Sequence, residues 1–274
     1  MRSPKELALD SRIVEVITGM KLSGKAVEAA RLIIGDDEVQ AMQEYANHVS
    51  IIRLGYNDHG PVHMRTVTLN ALLMLGLLRD AGIRTSLEKE DCGTFEDSLV
   101  AILMAAFLHD VGMSVSRRDH EMHSGTLAMP ILDRILRQVY PASDKDAHKR
   151  VVASSLALEG IIGHMGNRPV HSLEAGLILI ADGCDMTKGR ARIPMARAEA
   201  PRVGDIHKYS ANSIEEVRLS RGGEKPIRIE VLMSSDVGYF QVEEVLLGKI
   251  AASPAKLHVE LFAQVQNKDP KQYL

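Results

Sequence analysis

The histidines of this chain are not scattered. His59, His63, His109, His120, His123 and His164 fall at or near the ends of apolar stretches, together with Asp58, Asp110 and Asp182. Imidazole and carboxylate are the usual ligands of catalytic divalent cations, whose open positions hold water or substrate. Asp110 follows the apolar run Leu99–Leu108, and Asp182 directly follows Gly176-Leu177-Ile178-Leu179-Ile180-Ala181. A carboxylate at the end of a helix that must be buried carries a charge in need of a partner, and a cation shared with histidines supplies one. Each residue alone has an ordinary alternative. His59 and His63, four apart, could share an exposed helical face; His120 and His123 could be polar residues of a first turn; His164 could be a satisfied helix-end histidine, and Asp182 a helix-end carboxylate. Their ordered conjunction separates the pattern from those alternatives.

Helices must position such a set. Residues 5–50 carry helical patterning, with Ile13, Val14, Val16 and Ile17 spaced for one buried stripe. The segment KAVEAARLII continues it, and Gly35 with two aspartates marks a stop. A turn over Gly55–Pro61 precedes an apolar helical pattern from His63 to Leu78 that ends before Gly82. Further helices are predicted over Leu99–His109, roughly His120–Val139, Lys149–His164 and Ser172–Met186. Near Pro194 the composition changes. Beyond it, Ile214–Leu219 and Ile227–Leu232 alternate about Arg221-Gly222-Gly223-Glu224 as a hairpin. Phe240–Ile250 then reads as an amphipathic helix and Leu257–Ala263 as a strand. The expected architecture is mainly α. An N-terminal helical segment (1–50) leads into a helical bundle domain (51–193), then a connector (194–211) and a small α/β domain (212–274) for assembly or regulation.

Composition bounds the function. Hydrophobic residues make up 45% and charged residues 25% of 274, the balance of a folded globular chain. A net charge of −3 argues against a general nucleic-acid or anionic-membrane binder. With only Cys92 and Cys184, no disulfide framework is implied, and a reducing cytoplasm is expected. The opening MRSPKELALDSR has no apolar stretch behind its basic residues, as a secretory signal would. Leu99–Leu108 is too short to span a bilayer.

The order His63 … His109-Asp110 … His120 … His164 … Asp182 resembles the HD superfamily of metal-dependent phosphohydrolases. His63-Met64-Arg65-Thr66-Val67 looks like that family's first ligand helix, and Ala105-Ala106-Phe107-Leu108-His109-Asp110-Val111-Gly112 matches its signature doublet. His120-Glu121, Ile161–His164 and Ile180-Ala181-Asp182 resemble its later elements, so the likeness covers roughly residues 50–190. The resemblance implies an HD-type bundle in which His63, His109, Asp110 and Asp182 hold one metal. His120 and His164 would complete a second site, with Asp110 bridging and His123 as the competitor of His120. Departures narrow the reading. The branch that cleaves cyclic dinucleotides carries Gly-Tyr-Pro after a His-His pair, where this chain has His164-Met165-Gly166-Asn167-Arg168-Pro169. The branch that hydrolyses the stringent-response alarmone has acids shortly after its doublet, where Val111-Gly112-Met113-Ser114 stand here.

A divalent ion lowers the pKa of bound water from 15.7 toward about 7, giving a hydroxide that can attack phosphorus. The expected cofactors are one or two ions of manganese, iron, zinc, nickel, cobalt or magnesium. Asp110 and His109 are the expected catalytic pair. Phosphate needs positive partners; the candidates are Arg117, Arg118, Arg168, Lys188, Arg190 and Arg192, each following a ligand-bearing segment. Asp58, His59 and His123 are expected in support of the ligands. The partner expected is a small, nucleotide-like phosphorylated substrate, with a homodimer through the C-terminal domain and neither nucleic acid nor membrane. A diiron oxygenase and a binding-only signalling module are the competing readings.

Overall fold

The helices follow from caps and packed faces. The computed structural model describes residues 2–141, 144–189 and 206–274. In it α1 (Pro4–Gly19), α2 (Lys25–Ile34) and α3 (Asp37–His48) form the N-terminal layer, and a wider π-helical turn, Val49–Arg53, extends α3. Of the stripe expected on α1, Ile13 and Ile17 are fully buried, while Val14 and Val16 pack at its margin. Next come α4 (Pro61–Asp80), the single turn α5 (Ser86–Lys89) and α6 (Phe95–Leu108). The bundle closes with α7 (His120–Val139), α8 (Asp144–Gly163) and α9 (Leu173–Cys184).

Helix α6 is the axis. Thr94 and Asp97 form a reciprocal capping box at its start, and every residue from Phe95 to Leu108 is buried. Helices α2, α4, α8 and α9 surround it. Pro61–Asp80 and Phe95–Ser114 are long and apolar enough to cross a membrane, and 61% and 94% of their windows lie inside the fold.

The polar residues of the bundle hold its register. Arg65 of α4, 1% exposed, donates from Nε to Asp10 Oδ1 at 2.7 Å and from Nη1 to Gln43 Oε1 at 2.9 Å. Gln43 in turn donates to the Phe107 carbonyl at 2.8 Å, two residues before His109. The start of α4 and the end of α6 are thus fixed to α1 and α3 by a satisfied buried network.

After α10 (Ile206–Asn212) come β1 (Ile214–Arg221) and β2 (Ile227–Met233), the antiparallel hairpin expected from the alternation. A helical segment follows, a π-helical Gln241–Leu246 running into α11 (Leu247–Ala252). It leads to β3 (Val259–Val265), which pairs parallel to β2, and to a short β4 (Lys271–Gln272) on the far edge. The strand expected at Leu257 begins two residues later, because Pro254–His258 forms a 3-10 turn capped by the Ser253 side chain on Ala255 N. The fold is mainly α with a four-stranded sheet, as the periodicities indicate. Ile214, Ile229, Val231 and Leu261 join one continuous core with the bundle helices. Most of the expected connector, 194–211, and Arg190 and Arg192 lie outside the described residues.

Candidate metal centre

Four turns converge on one buried point. The first is built at the start of α4. Asp58 Oδ1 accepts from Gly60 N at 2.8 Å and Asn47 Oδ1 from His59 N at 3.2 Å, while Pro61 occupies the first helical position. A Cβ on Gly60 would stand 2.5 Å from Asn47, so only glycine allows this approach. His59 and His63 are thereby brought one turn apart, facing inward. The second turn is the end of α6, where His109 caps the helix and Asp110 leaves it. Gly112 N donates to Ser124 Oγ at 2.8 Å, and a Cβ on Gly112 would collide with the His120 carbonyl. That contact sets the Asp110 turn against His120, the first residue of α7. The third and fourth are the ends of α8 and α9, carrying His164 and Asp182.

Asp110 is the centre of the cluster. Its Oδ2 lies 3.2 Å from His63 Nε2 and 3.5 Å from His109 Nε2, and its Oδ1 lies 3.1 Å from His120 Nε2 and 3.3 Å from His164 Nε2. Asp182 Oδ1 joins the first pair, 3.2 Å from His63 Nε2 and 3.9 Å from His109 Nε2. The arrangement therefore has two halves, His63/His109/Asp182 and His120/His164, with Asp110 between them. His59 Nδ1 adds a contact to Asp110 Oδ2 at 2.6 Å.

The protons of these imidazoles are placed by their outer partners. His63 Nδ1 donates to Asp185 Oδ2 at 2.7 Å, His109 Nδ1 to the Ala106 carbonyl at 2.9 Å, His120 Nδ1 to the Arg117 carbonyl at 3.1 Å and His164 Nδ1 to the Ile161 carbonyl at 2.7 Å. Each Nε2 is then left facing the carboxylates as an acceptor. Yet the Nε2 atoms of His63 and His109 stand 3.1 Å apart, and so do those of His120 and His164. Two lone pairs cannot bond each other, and Asp110 Oδ1 is buried without a hydrogen-bond partner. Lone pairs and carboxylate oxygens converging in this way fit cations. Three overlapping groups, His59/His63/Asp110, His63/His109/Asp182 and His109/Asp110/His164, each have ligand atoms within 4.8 Å of one another. That separation suits bonds of about 2.0–2.2 Å to a shared ion.

No family model and no solved structure matches the chain. Over 238 residues it is 42% identical to the uncharacterized protein MJ1020 of Methanocaldococcus jannaschii, covering 87% of this chain and 88% of that one. The chain belongs to the family of MJ1020. A match of that length takes in the bundle and extends into the C-terminal sheet unit, so the family shares both parts.

The electrostatics suit ligands. Burial pushes His109 down to about 3, helped by His164 and His63 and opposed by Asp110 and Asp182, which leaves it neutral near pH 7. Burial acts to raise Asp110, but His109, His59, His120 and His164 around it outweigh that effect and hold the carboxyl well below its ordinary range. Asp182 behaves likewise: Lys249 first, then His63, overcome the effect of burial. Burial raises the Cys184 thiol, as do Asp185 and Asp182, so it stays protonated beside the site.

Among the expected supporting residues, His59 touches Asp110 itself, whereas Asp58 builds the turn. His123, the fourth residue of α7, is half-buried, and the contact of this helix with Asp110 is made by His120. The expected phosphate-binding residues are dispersed. Arg117 is half-buried, its Nη1 3.3 Å from His120 Nδ1 and its guanidinium 5.8 Å from the Tyr56 ring centroid. Arg118 points outward, paired with Asp119 at 3.5 Å, and Arg168 is exposed. Lys188 is exposed and ion-paired with Glu215. Two residues were not anticipated. Asp185 sits three positions after Asp182, a helical spacing that could have disclosed it. Lys249 comes from a different element 67 residues away, with no local signal at all.

Proposed function

We propose that this chain is a metal-dependent phosphohydrolase acting on a phosphomonoester or phosphodiester of a small, nucleotide-like substrate. The observation that carries the reading is the convergence of four Nε2 lone pairs on the two oxygens of Asp110. His63, His109, Asp110 and Asp182 would hold one divalent ion, and His120 and His164, with Asp110, a second. Such ions supply hydroxide at neutral pH and offset charge on phosphoryl oxygens. The chain's own residues do the rest. Asp110 keeps both halves in register, and His59, with Nδ1 2.6 Å from Oδ2, holds that carboxylate and can carry a proton there. Arg117, next to His120, offers paired donors for a phosphoryl group entering beside that histidine. The resemblance of the His-Asp doublet and its ordered partners to the HD superfamily supports the same chemistry.

Elemental analysis of the purified chain, combined with an anaerobic screen of phosphorylated compounds, tests this. Bound manganese, iron, zinc, nickel or cobalt and metal-dependent phosphate release are expected. Oxygen consumption that depends on iron, without phosphate release, would replace the hydrolase with the oxygenase reading.

A further inference from the structure

Lys249 lies on α11, in the C-terminal unit, and is only 9% exposed. Its stem runs along α9 at Gly183, where a Cβ would stand 3.1 Å from Lys249 Cδ and 3.1 Å from Leu246 Cδ1. A buried ammonium needs partners, and both of those it has among the described residues belong to the centre. Nζ donates to the His164 carbonyl at 2.8 Å and to Asp182 Oδ2. Asp182 presents its other oxygen, Oδ1, to His63 and His109. His164 presents Nε2 to Asp110 from the other half. One side chain thus grips a carboxylate of the first half and the backbone of the second.

We propose that Lys249 is a positioning residue of the metal centre. It holds Oδ2 of Asp182 so that Oδ1 alone is offered to a cation, and it fixes the His164 turn relative to Asp182. The C-terminal unit is in this way part of the centre. The inference rests on reading the His/Asp cluster as a cation site. Its sign separates it from a simple charge effect. Coulomb repulsion between an ammonium and a nearby cation predicts tighter metal binding once the lysine is gone. Loss of a group that orients ligands predicts weaker binding, typically by about 10–100-fold.

The test is a manganese titration by calorimetry of the full chain, with elemental analysis after dialysis, on the unaltered protein, Lys249→Met and Lys249→Ala. Methionine keeps the packing against Gly183 and Leu246 without the charge. The Met variant should retain its circular dichroism and cooperative melting and bind manganese about 10–100-fold more weakly. The Ala variant should regain affinity with n-propylammonium and not with propanol, a response that lost packing alone would not give. Should the Met variant fail to fold, Lys249→Gln, which keeps a donor for the His164 carbonyl, must show the same weakening. Unchanged or tighter binding in the variants, with the unaltered chain binding normally, overturns the role of Lys249 and leaves the centre standing. An unaltered chain that binds neither manganese, iron nor zinc overturns the centre and this inference together.

Discussion

The two ends of α6 bury the same kinds of group and treat them in opposite ways. At its start, Asp97 accepts from Thr94 N at 2.9 Å, Thr94 Oγ1 at 2.8 Å and Tyr140 Oη at 2.9 Å, with Lys149 at 3.3 Å. Its neighbour Glu96 accepts from Ser23 N at 3.2 Å, Gly24 N at 3.0 Å and Ala26 N at 3.1 Å. Each carboxylate meets atoms that bring hydrogens. At the other end, four of the five imidazoles around Asp110 turn their hydrogens elsewhere, and its Oδ1 has no hydrogen-bond partner. A satisfied carboxylate cements a helix end. An unsatisfied one among lone pairs is built for something that arrives.

The sharpest break of this contrast is Asp110→Ala. It removes the group between the two halves, so phosphate release should be abolished and metal content should fall; near-normal turnover in a folded variant would end the catalytic reading. Next is stoichiometry. His120→Ala or His164→Ala, which each remove an Nε2 beside Asp110 Oδ1, should lower occupancy from two metals toward one by elemental analysis, whereas His123→Ala, at a half-buried position further along α7, should leave it unchanged. Equal loss in the His123 variant would reassign the second half. Arg117→Ala comes third. It removes one donor beside the centre, so turnover should fall by roughly 10²–10³-fold while metal content stays intact. Arg168→Ala, at an exposed position, should change turnover far less.

Much of this was legible in the sequence, for physical reasons. Helical periodicity and caps located His63, His109, His120 and His164 at helix ends, because a ligand must sit where a buried element meets the site. The hairpin was legible because alternation marks a half-buried strand. The parallel pairing of β2 with β3 was not, since it depends on a crossover through Gln241–Ala252 that no local pattern specifies. Lys249 was hidden for the same reason: a lysine on an amphipathic helix reads as solvent-facing, and only the packing of Leu246 and α11 on α9 turns it inward. The arginines meet a further limit. Chain proximity to a ligand does not fix direction, and Arg118 and Arg168 project to solvent from their turns.

The smallest effect on chemistry, and the control for the whole contrast, is Asp97→Asn. Burial acts to raise the Asp97 carboxyl, but the Thr94 side chain and backbone, Tyr140 and Lys149 outweigh it, holding it below the ordinary 3.8. Between the lowered native value and 3.8 the unfolded chain binds more protons than the native one, so stability rises with pH in that window. The contribution is full above about pH 4 and is lost as pH falls through the lowered value. Asparagine cannot ionise, and one of its amide hydrogens would face the donors of Thr94. The variant should therefore lose roughly 1–3 kcal/mol at pH 7 by denaturant titration, the usual cost of spoiling a buried hydrogen-bonded group. The gap to the unaltered chain should narrow below pH 4. Metal content and turnover at pH 7 should remain those of the unaltered chain, because Asp97 sits at the opposite end of α6 from Asp110. Metal loss in a folded Asp97→Asn protein would mean that the two ends of the helix are coupled, and that the capping carboxylate serves the centre as well as the fold.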